Sequence, residues 1–330
     1  MIEKLQALYD ARDLSALDAL AKPTYRELNH SNSFRSALML SAHNIKHLSK
    51  IRSLEADCIV LNLEDGVAPS EKPFALVLCA IFLKELQKCD KKLVVRVNAL
   101  DEGGYEEITY LNQFMPDAIR VPKIKNQKEV RDILHLLNEG IELHLSIETS
   151  EGWSNLSTLA LNKRVTAFYL GVLDLFADMG LSQALIEKNN PTLHYILTHF
   201  LVTSKALGVK PVSFAYQEYK DLEGFREWLE LEKQMGYDAK MCISPSQVSL
   251  VNEAFVDEQK ELERAQVIVK LFEMHQEEGI TGFSDEIYGF IDEPIYKGAL
   301  ALLKKYEEQK DENTQICTTR CDTIKDSMCW

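Results

Sequence analysis

Residues 61–71, "LNLEDGVAPSE", place two adjacent acids, Glu64 and Asp65, directly after the apolar run Cys58-Ile59-Val60-Leu61. A short β-branched run of this kind belongs inside a parallel sheet, and Gly66 and Pro69 announce a loop. The acids therefore stand at the C-terminal end of a strand, the edge at which α/β sheets bind their ligands. Whether they bind a ligand or are solvated loop charges depends on what the other strands carry at the same edge.

The same unit recurs along the chain. Apolar runs read as strands are "ALML" (37–40), "CIVLNLED" (58–65), "KLVVRVN" (92–98), "AIRVPK" (118–123), "ELHLSIET" (142–149), "VTAFYLGVLD" (165–174), "KPVSFA" (210–215) and "AKMCIS" (239–244). Each is followed by a longer amphipathic stretch with helical spacing. Eight strand–helix pairs are the count of a (β/α)8 TIM barrel. An open doubly wound sheet is the alternative, but the Gly-rich phosphate loop expected after its first strand is missing. The expected organisation is an α/β chain in four parts. Residues 1–30 form an N-terminal helical extension broken by Pro23, 31–256 the catalytic barrel, 257–305 a C-terminal helical appendage serving as lid or oligomer arm, and 306–330 a mobile tail. The run "FIDEPIYKGALALLKKY" (290–306) reads as helical throughout.

A chain of 330 residues, 46% of them hydrophobic and 27% charged, can bury a core of that size. Its net charge of −14 offers no basic field to phosphate backbones or anionic lipid, so neither nucleic acid nor membrane is an expected partner. The 7 cysteines form no paired framework, and no signal-like or membrane-spanning run occurs, which points to a reduced, cytoplasmic protein. Cys317 and Cys321 in the polar tail are a weak metal signal, and Cys242 reads as a core residue.

The predicted strand ends carry Glu64 and Asp65 on strand two, Arg96 and Asn98 on strand three and Lys123 on strand four. Strand five ends in Glu148 and Thr149, and strand six in Asp174. Ionisable groups seldom occupy buried strands unless they are paired or bind something. Glu148 and Asp174, with no Cys or His beside them, suit a hard cation such as Mg²⁺, and Mn²⁺ accepts the same oxygens. The competing reading is that Asp174 caps the next helix. Arg96 can grip a substrate carboxylate bidentately, with Asn98 and Lys123 as further substrate-binding candidates; its competing reading is an ion pair with Glu64. His43 and His47 stand four apart, as a ligand pair could, but with no third ligand nearby they read as a solvated helix face, and Arg35 falls at the opposite, stabilising end of the barrel.

"LNLEDGVAPSEK" resembles the "DLEDAVAPxxK" signature of the citrate lyase β-subunit-like proteins of the HpcH/HpaI aldolase superfamily. "VVRVN", "VPK", "IETSEG", "DLFADMG", "ISPSQ" and "FIDEP" follow in that family's order across residues 34–303. The resemblance implies a Mg²⁺-dependent barrel lyase, usually a homo-oligomer. Such an enzyme splits a β-hydroxyacyl thioester such as malyl-, citramalyl- or citryl-CoA, or the carrier-protein form, into an acyl thioester and an α-keto acid. It implies Glu148 and Asp174 as metal ligands, Arg96 as the grip on the keto-acid end, and Glu64 as the acid beside it. Asp292 then corresponds to a C-terminal aspartate reaching a neighbouring subunit's active site. The chain departs from the pattern at Ser41-Ala42-His43, where a Pro-Gly turn is usual, at Asn62 and Leu173 in place of acids, and at Ser244 in place of a histidine. A non-cleaving keto-acid-binding module and an aldolase for free acids stay open beside the thioester lyase.

Overall fold

The computed structural model describes residues 1–23, 26–255 and 258–304. They fall into two compact units that divide after Phe255. The residues of the expected tail, with Cys317 and Cys321, lie outside the described residues.

In the first unit eight strands run parallel: β1 (Ser36–Ser41), β2 (Cys58–Asn62), β3 (Lys92–Arg96), β4 (Ala118–Val121), β5 (Glu142–Ile147), β6 (Val165–Leu170), β7 (Lys210–Val212) and β8 (Lys240–Cys242). Their order is β7-β6-β5-β4-β3-β2-β1-β8. A single parallel bridge between Ser213 and Lys240 joins the last two into a TIM barrel. Strands β2 and β3 are buried at every position, as expected where helices cover the outside and side chains fill the inside.

The strands end earlier than expected: β3 stops at Arg96, β4 at Val121 and β5 at Ile147, so Asn98, Lys123, Glu148 and Thr149 stand in the loops just beyond them. β2 stops at Asn62, so Glu64 lies two residues beyond the ladder rather than within it. β6 stops at Leu170, and Asp174 belongs to the helix Val172–Asp178. Gly171, whose amide still donates to Ile147 O at 3.0 Å, is the N-cap at which the strand passes directly into the helix.

The N-terminal residues pack against the barrel. Leu5 and Leu17, from the helices Ile2–Asp10 and Leu14–Asp18, are buried in the main core. Arg12 pairs with Glu71 at 2.7 Å and lies 3.9 Å over the Phe74 ring. Arg26 reaches the barrel's N-terminal end, where its Nη1 and Nη2 donate to Asp117 at 2.6 and 2.7 Å. Asp117 also accepts from Asn29 N and Leu93 N, both at 2.6 Å. Arg35 pairs with Asp57 at this end, at 2.9 Å, as its position before β1 predicts.

The second unit holds the helix Glu258–Glu277, an antiparallel hairpin of β9 (Gly282–Asp285) and β10 (Gly289–Asp292), and a helix over 293–304. Its core is Ala265, Ile268, Phe272, Ile291 and Ala299. "FID" is thus strand, not helix. Asp285 Oδ1 accepts from Ile287 N and Tyr288 N at 2.8 and 2.9 Å, which fixes the turn, and Ile291 is the strand residue that enters the core. No helix of the described residues is long and apolar enough to cross a membrane.

Removing one partner of a buried ion pair costs about 3–5 kcal/mol. Asp117→Ala leaves Arg26 without its counter-charge and two backbone amides unpaired at once, so denaturant unfolding is expected to show a loss in that range. A loss below about 1 kcal/mol would mean that Asp117 does not anchor the N-terminal segment.

Candidate active site

The turn after β2 is built by Asn62. Its Nδ2 donates to Asp65 O at 2.6 Å and its Oδ1 accepts from Glu64 N at 3.4 Å. Gly66 completes the reversal at φ +83°, a conformation costly for residues with a Cβ. Glu64 is thereby turned inward, 2% exposed, with Arg96 Nη2 in direct ion-pair contact and Lys123 Nζ at 3.3 Å. Burial, reinforced by the charges of Glu148 and Asp65, outweighs these two cations and pushes its carboxyl up to about 7.

Arg96 ends β3 and faces three carboxylates: Glu64, Asp65 at 3.5 Å and Glu148 at 3.9 Å. Both of its sequence readings are compatible with this arrangement, since the guanidinium is ion-paired and also lines a cavity of about 390 Å³ at the C-terminal ends of the strands. Glu148 and Asp174 line the same cavity, together with Asp65, Arg120 and Tyr169.

Glu148 follows β5 and is 2% exposed. Its Oε1 accepts from Lys123 N at 2.9 Å. Lys123 presents that amide from the left-handed region at φ +54°, rare for a residue with a side chain and typical of functional turns. The β4 and β5 loops interlock: Thr149 Oγ1 donates to Ile124 O at 3.1 Å, and a Cβ on Gly152 would stand 2.1 Å from that same carbonyl. "VPK" and "IETSEG" are therefore two halves of one support. On the other side of Glu148, a Cβ on Gly171 would lie 2.4 Å from Oε2, so only glycine leaves room for the carboxylate.

Asp174 is exposed in the first turn of its helix, whose N-cap is Gly171 with no side-chain cap, so it does not serve as the capping acid. Among the described residues no group of three or more His, Cys, Asp and Glu could enclose a metal. Two cavity-lining carboxylates, one with an oxygen that accepts no hydrogen bond from the described residues, fit Mg²⁺, which keeps waters and takes substrate oxygens for its remaining positions.

The other candidates are placed differently. Asn98 is committed to its own surroundings: its N and Nδ2 donate to Glu107 at 2.7 and 2.5 Å, and Lys72 Nζ donates to its Oδ1. The side chain of Lys123 pairs with Glu64 and is 36% exposed. Asp292 lies in the second unit, where its Oδ1 accepts from Ile295 N at 3.2 Å at the start of the helix over 293–304. Ser244 caps the helix Pro245–Ala254, while Gln247 Oε1 accepts from Ile243 N at 2.8 Å. Sequence reasoning missed Arg120 and Tyr169. An arginine inside a short apolar strand was the available signal for the first.

The family model described as HpcH/HpaI aldolase/citrate lyase matches residues 35–245. A (3S)-malyl-CoA thioesterase of Cereibacter sphaeroides is 29% identical over 252 residues, covering 76% of this chain and 87% of that protein. The mitochondrial citramalyl-CoA lyase of Rattus norvegicus is 27% identical over 308 residues, covering 86% and 90%. The protein CitE of Mycobacterium tuberculosis, solved with magnesium, acetoacetate and coenzyme A, is 22% identical, with a TM-score of 0.66 over 83% of this chain and 98% of its own. That likeness shows the shared barrel fold.

Gly171→Ala is expected to displace the Glu148 carboxylate and weaken Mg²⁺ binding at least tenfold by calorimetry, with the fold kept. Unchanged Mg²⁺ affinity would separate Glu148 from the metal.

Proposed function

Because the chain belongs to the HpcH/HpaI aldolase/citrate lyase family, we propose that it is a Mg²⁺-dependent carbon–carbon lyase. It cleaves, or in reverse forms, a β-hydroxyacyl thioester of the malyl, citramalyl or citryl kind, carried on CoA or on a protein. The products are an acyl thioester and an α-keto acid. The observation that carries this reading is one cavity lined at once by Arg96, Glu148 and Asp174. The printed activities of the relatives, a malyl-CoA thioesterase and a citramalyl-CoA lyase, support the substrate class.

Cleavage breaks the bond between the hydroxyl-bearing carbon and the thioester's α-carbon. The hydroxyl proton goes to a base, the C–C electron pair goes to the α-carbon as an enolate, and that carbon then takes a proton. Glu148 and Asp174 would hold Mg²⁺, which when bound supplies positive charge for the oxygen that becomes the keto group. Arg96 orients the acid end through its guanidinium. Glu64, lifted to about 7 mainly by burial, gives and takes the proton close to neutral pH. Below that pH Glu64 is protonated and cannot accept, so activity is expected to rise through about 7 and level off above it.

We propose further a homo-oligomer in which the C-terminal arm brings Asp292 to a neighbouring copy's cavity, as the resemblance of "FIDEP" supports. The described cysteines Cys58, Cys79, Cys89 and Cys242 are free thiols, in keeping with a reducing, cytoplasmic setting.

The test is mass spectrometry of the purified protein with Mg²⁺ and malyl-, citramalyl- or citryl-CoA. Metal-dependent release of an acyl-CoA and a keto acid is expected, reduced at least 100-fold in Glu148→Gln, with the pH inflection lost in Glu64→Gln. Free CoA as product would mean hydrolysis, and no turnover with metal bound would reject the lyase. Mixing Asp292→Asn protein with Glu148→Gln protein is expected to restore part of the activity if the arm crosses between copies. No restoration from two folded variants would confine Asp292 to its own chain.

A further inference from the structure

Arg120 is a buried charge in the cavity wall that no ion pair among the described residues answers. It sits on β4 in register with Arg96 on β3 and His144 on β5, so the two guanidiniums enter the barrel side by side. Arg96 meets three carboxylates. Arg120, 4% exposed, forms no ion pair among the described residues. Its Nε donates to Ser146 Oγ at 2.9 Å, its Nη1 meets only the Met241 sulfur at 3.5 Å, and its guanidinium carbon lies 4.1 Å over the Tyr169 ring. Burial, aided by the neighbouring Arg96 charge, pushes it down to about 10, so it is still a cation at neutral pH. Glu148 and Glu64 act on it only from a distance; a buried cation without a direct ion pair is costly, and the cost falls when an anion arrives to share the site.

Arg96 and Arg120 start at one level of the barrel, but the Arg96 guanidinium reaches toward Glu64, Asp65 and Glu148 whereas that of Arg120 stays beside Ser146, and this shows which part of a ligand that anion belongs to. Ser146, which Arg120 contacts, lies two residues before Glu148 on β5, so Arg120 stands deeper than the metal pair. The carrier of a thioester is far too large for a cavity of about 390 Å³ and must leave by the mouth. The acid half then points inward, and its far end is what reaches Arg120.

We infer that Arg120 binds a second carboxylate at the far end of the α-keto acid, so that the acid half handled here is a 2-oxo dicarboxylate. This rests on the lyase reading and narrows it to one substrate class. Arg96 holds the carboxylate beside the keto group, and Arg120 holds the distal one.

The test compares oxaloacetate with 2-oxobutyrate, which has the same carbon chain with a methyl group in place of the distal carboxylate. Calorimetry is run with Mg²⁺ on the full-length protein. Oxaloacetate is expected to bind at least tenfold more tightly. Arg120→Leu should weaken oxaloacetate at least tenfold and 2-oxobutyrate less than threefold, and Arg120→Lys should keep part of the preference. Equal binding of the two ligands by the native protein overturns the inference and leaves the lyase reading standing. A Leu variant that weakens both alike overturns it too, and assigns Arg120 to barrel packing or to the shared carboxylate. Binding of neither ligand removes the lyase reading and this inference with it. Circular dichroism confirms folding; if the Leu variant does not fold, the native comparison and the Lys variant decide.

Discussion

A closed parallel barrel gives an inward-pointing charge almost no water, so an ionisable side chain inside it is paired, kept neutral, or held for the charge of a ligand. Much of this molecule follows from that constraint. On β5 the inward residues are Glu142, His144, Ser146 and, just past its end, Glu148, a polar column running the height of the barrel. Glu142 is met by Lys92 at 2.8 Å, and its partners hold it ionised against burial. His144, fully buried, is pushed down to about 4 by desolvation and stays neutral, with Tyr169 Oη 3.2 Å from its Nδ1. Tyr169 in turn lies under Arg120. The cavity floor is therefore the upper end of a pairing chain that starts at the opposite end of the barrel.

Arg96 shows how the constraint becomes chemistry. It neutralises Glu64 and approaches Glu148, so a substrate carboxylate that takes its donors competes with Glu64 for the same charge. Losing that cation favours the protonated form of Glu64. In the proposed mechanism, grip on the substrate and readiness to hold a proton are thus linked through one guanidinium.

The eight strands were legible because each is a compact apolar run set off by turn residues, and Arg96, Glu148 and Asp174 because charges at such ends are hard to explain as core. The helical position of Asp174 was not, since "LGVLD" is apolar on both sides of Gly171 and periodicity cannot mark where strand gives way to helix. Asn98 was misleading for a different reason: its partners Lys72 and Glu107 come from separate segments, and only the fold brings them to it. Arg120 escaped notice because a strand buried on both faces hides which residues point inward. The β9–β10 hairpin was hidden because it runs directly into the helix that follows.

The closure of the barrel has a mechanical consequence. β7 and β8 are three residues long, and among the described residues their backbones are bridged only at Ser213, whose amide donates to Ala239 O and whose carbonyl accepts from Met241 N, both at 3.0 Å. Elsewhere the ladders run over three to five paired residues. Ser213, Phe214 and Ala215 form one wall of the cavity, whereas Arg96 and Arg120 form the opposite one, inside a continuous ladder. The barrel thus has one side braced by a continuous ladder, which carries the two guanidiniums of the cavity, and an opposite side held by a single bridge, so a force on the circumference meets least resistance at that seam.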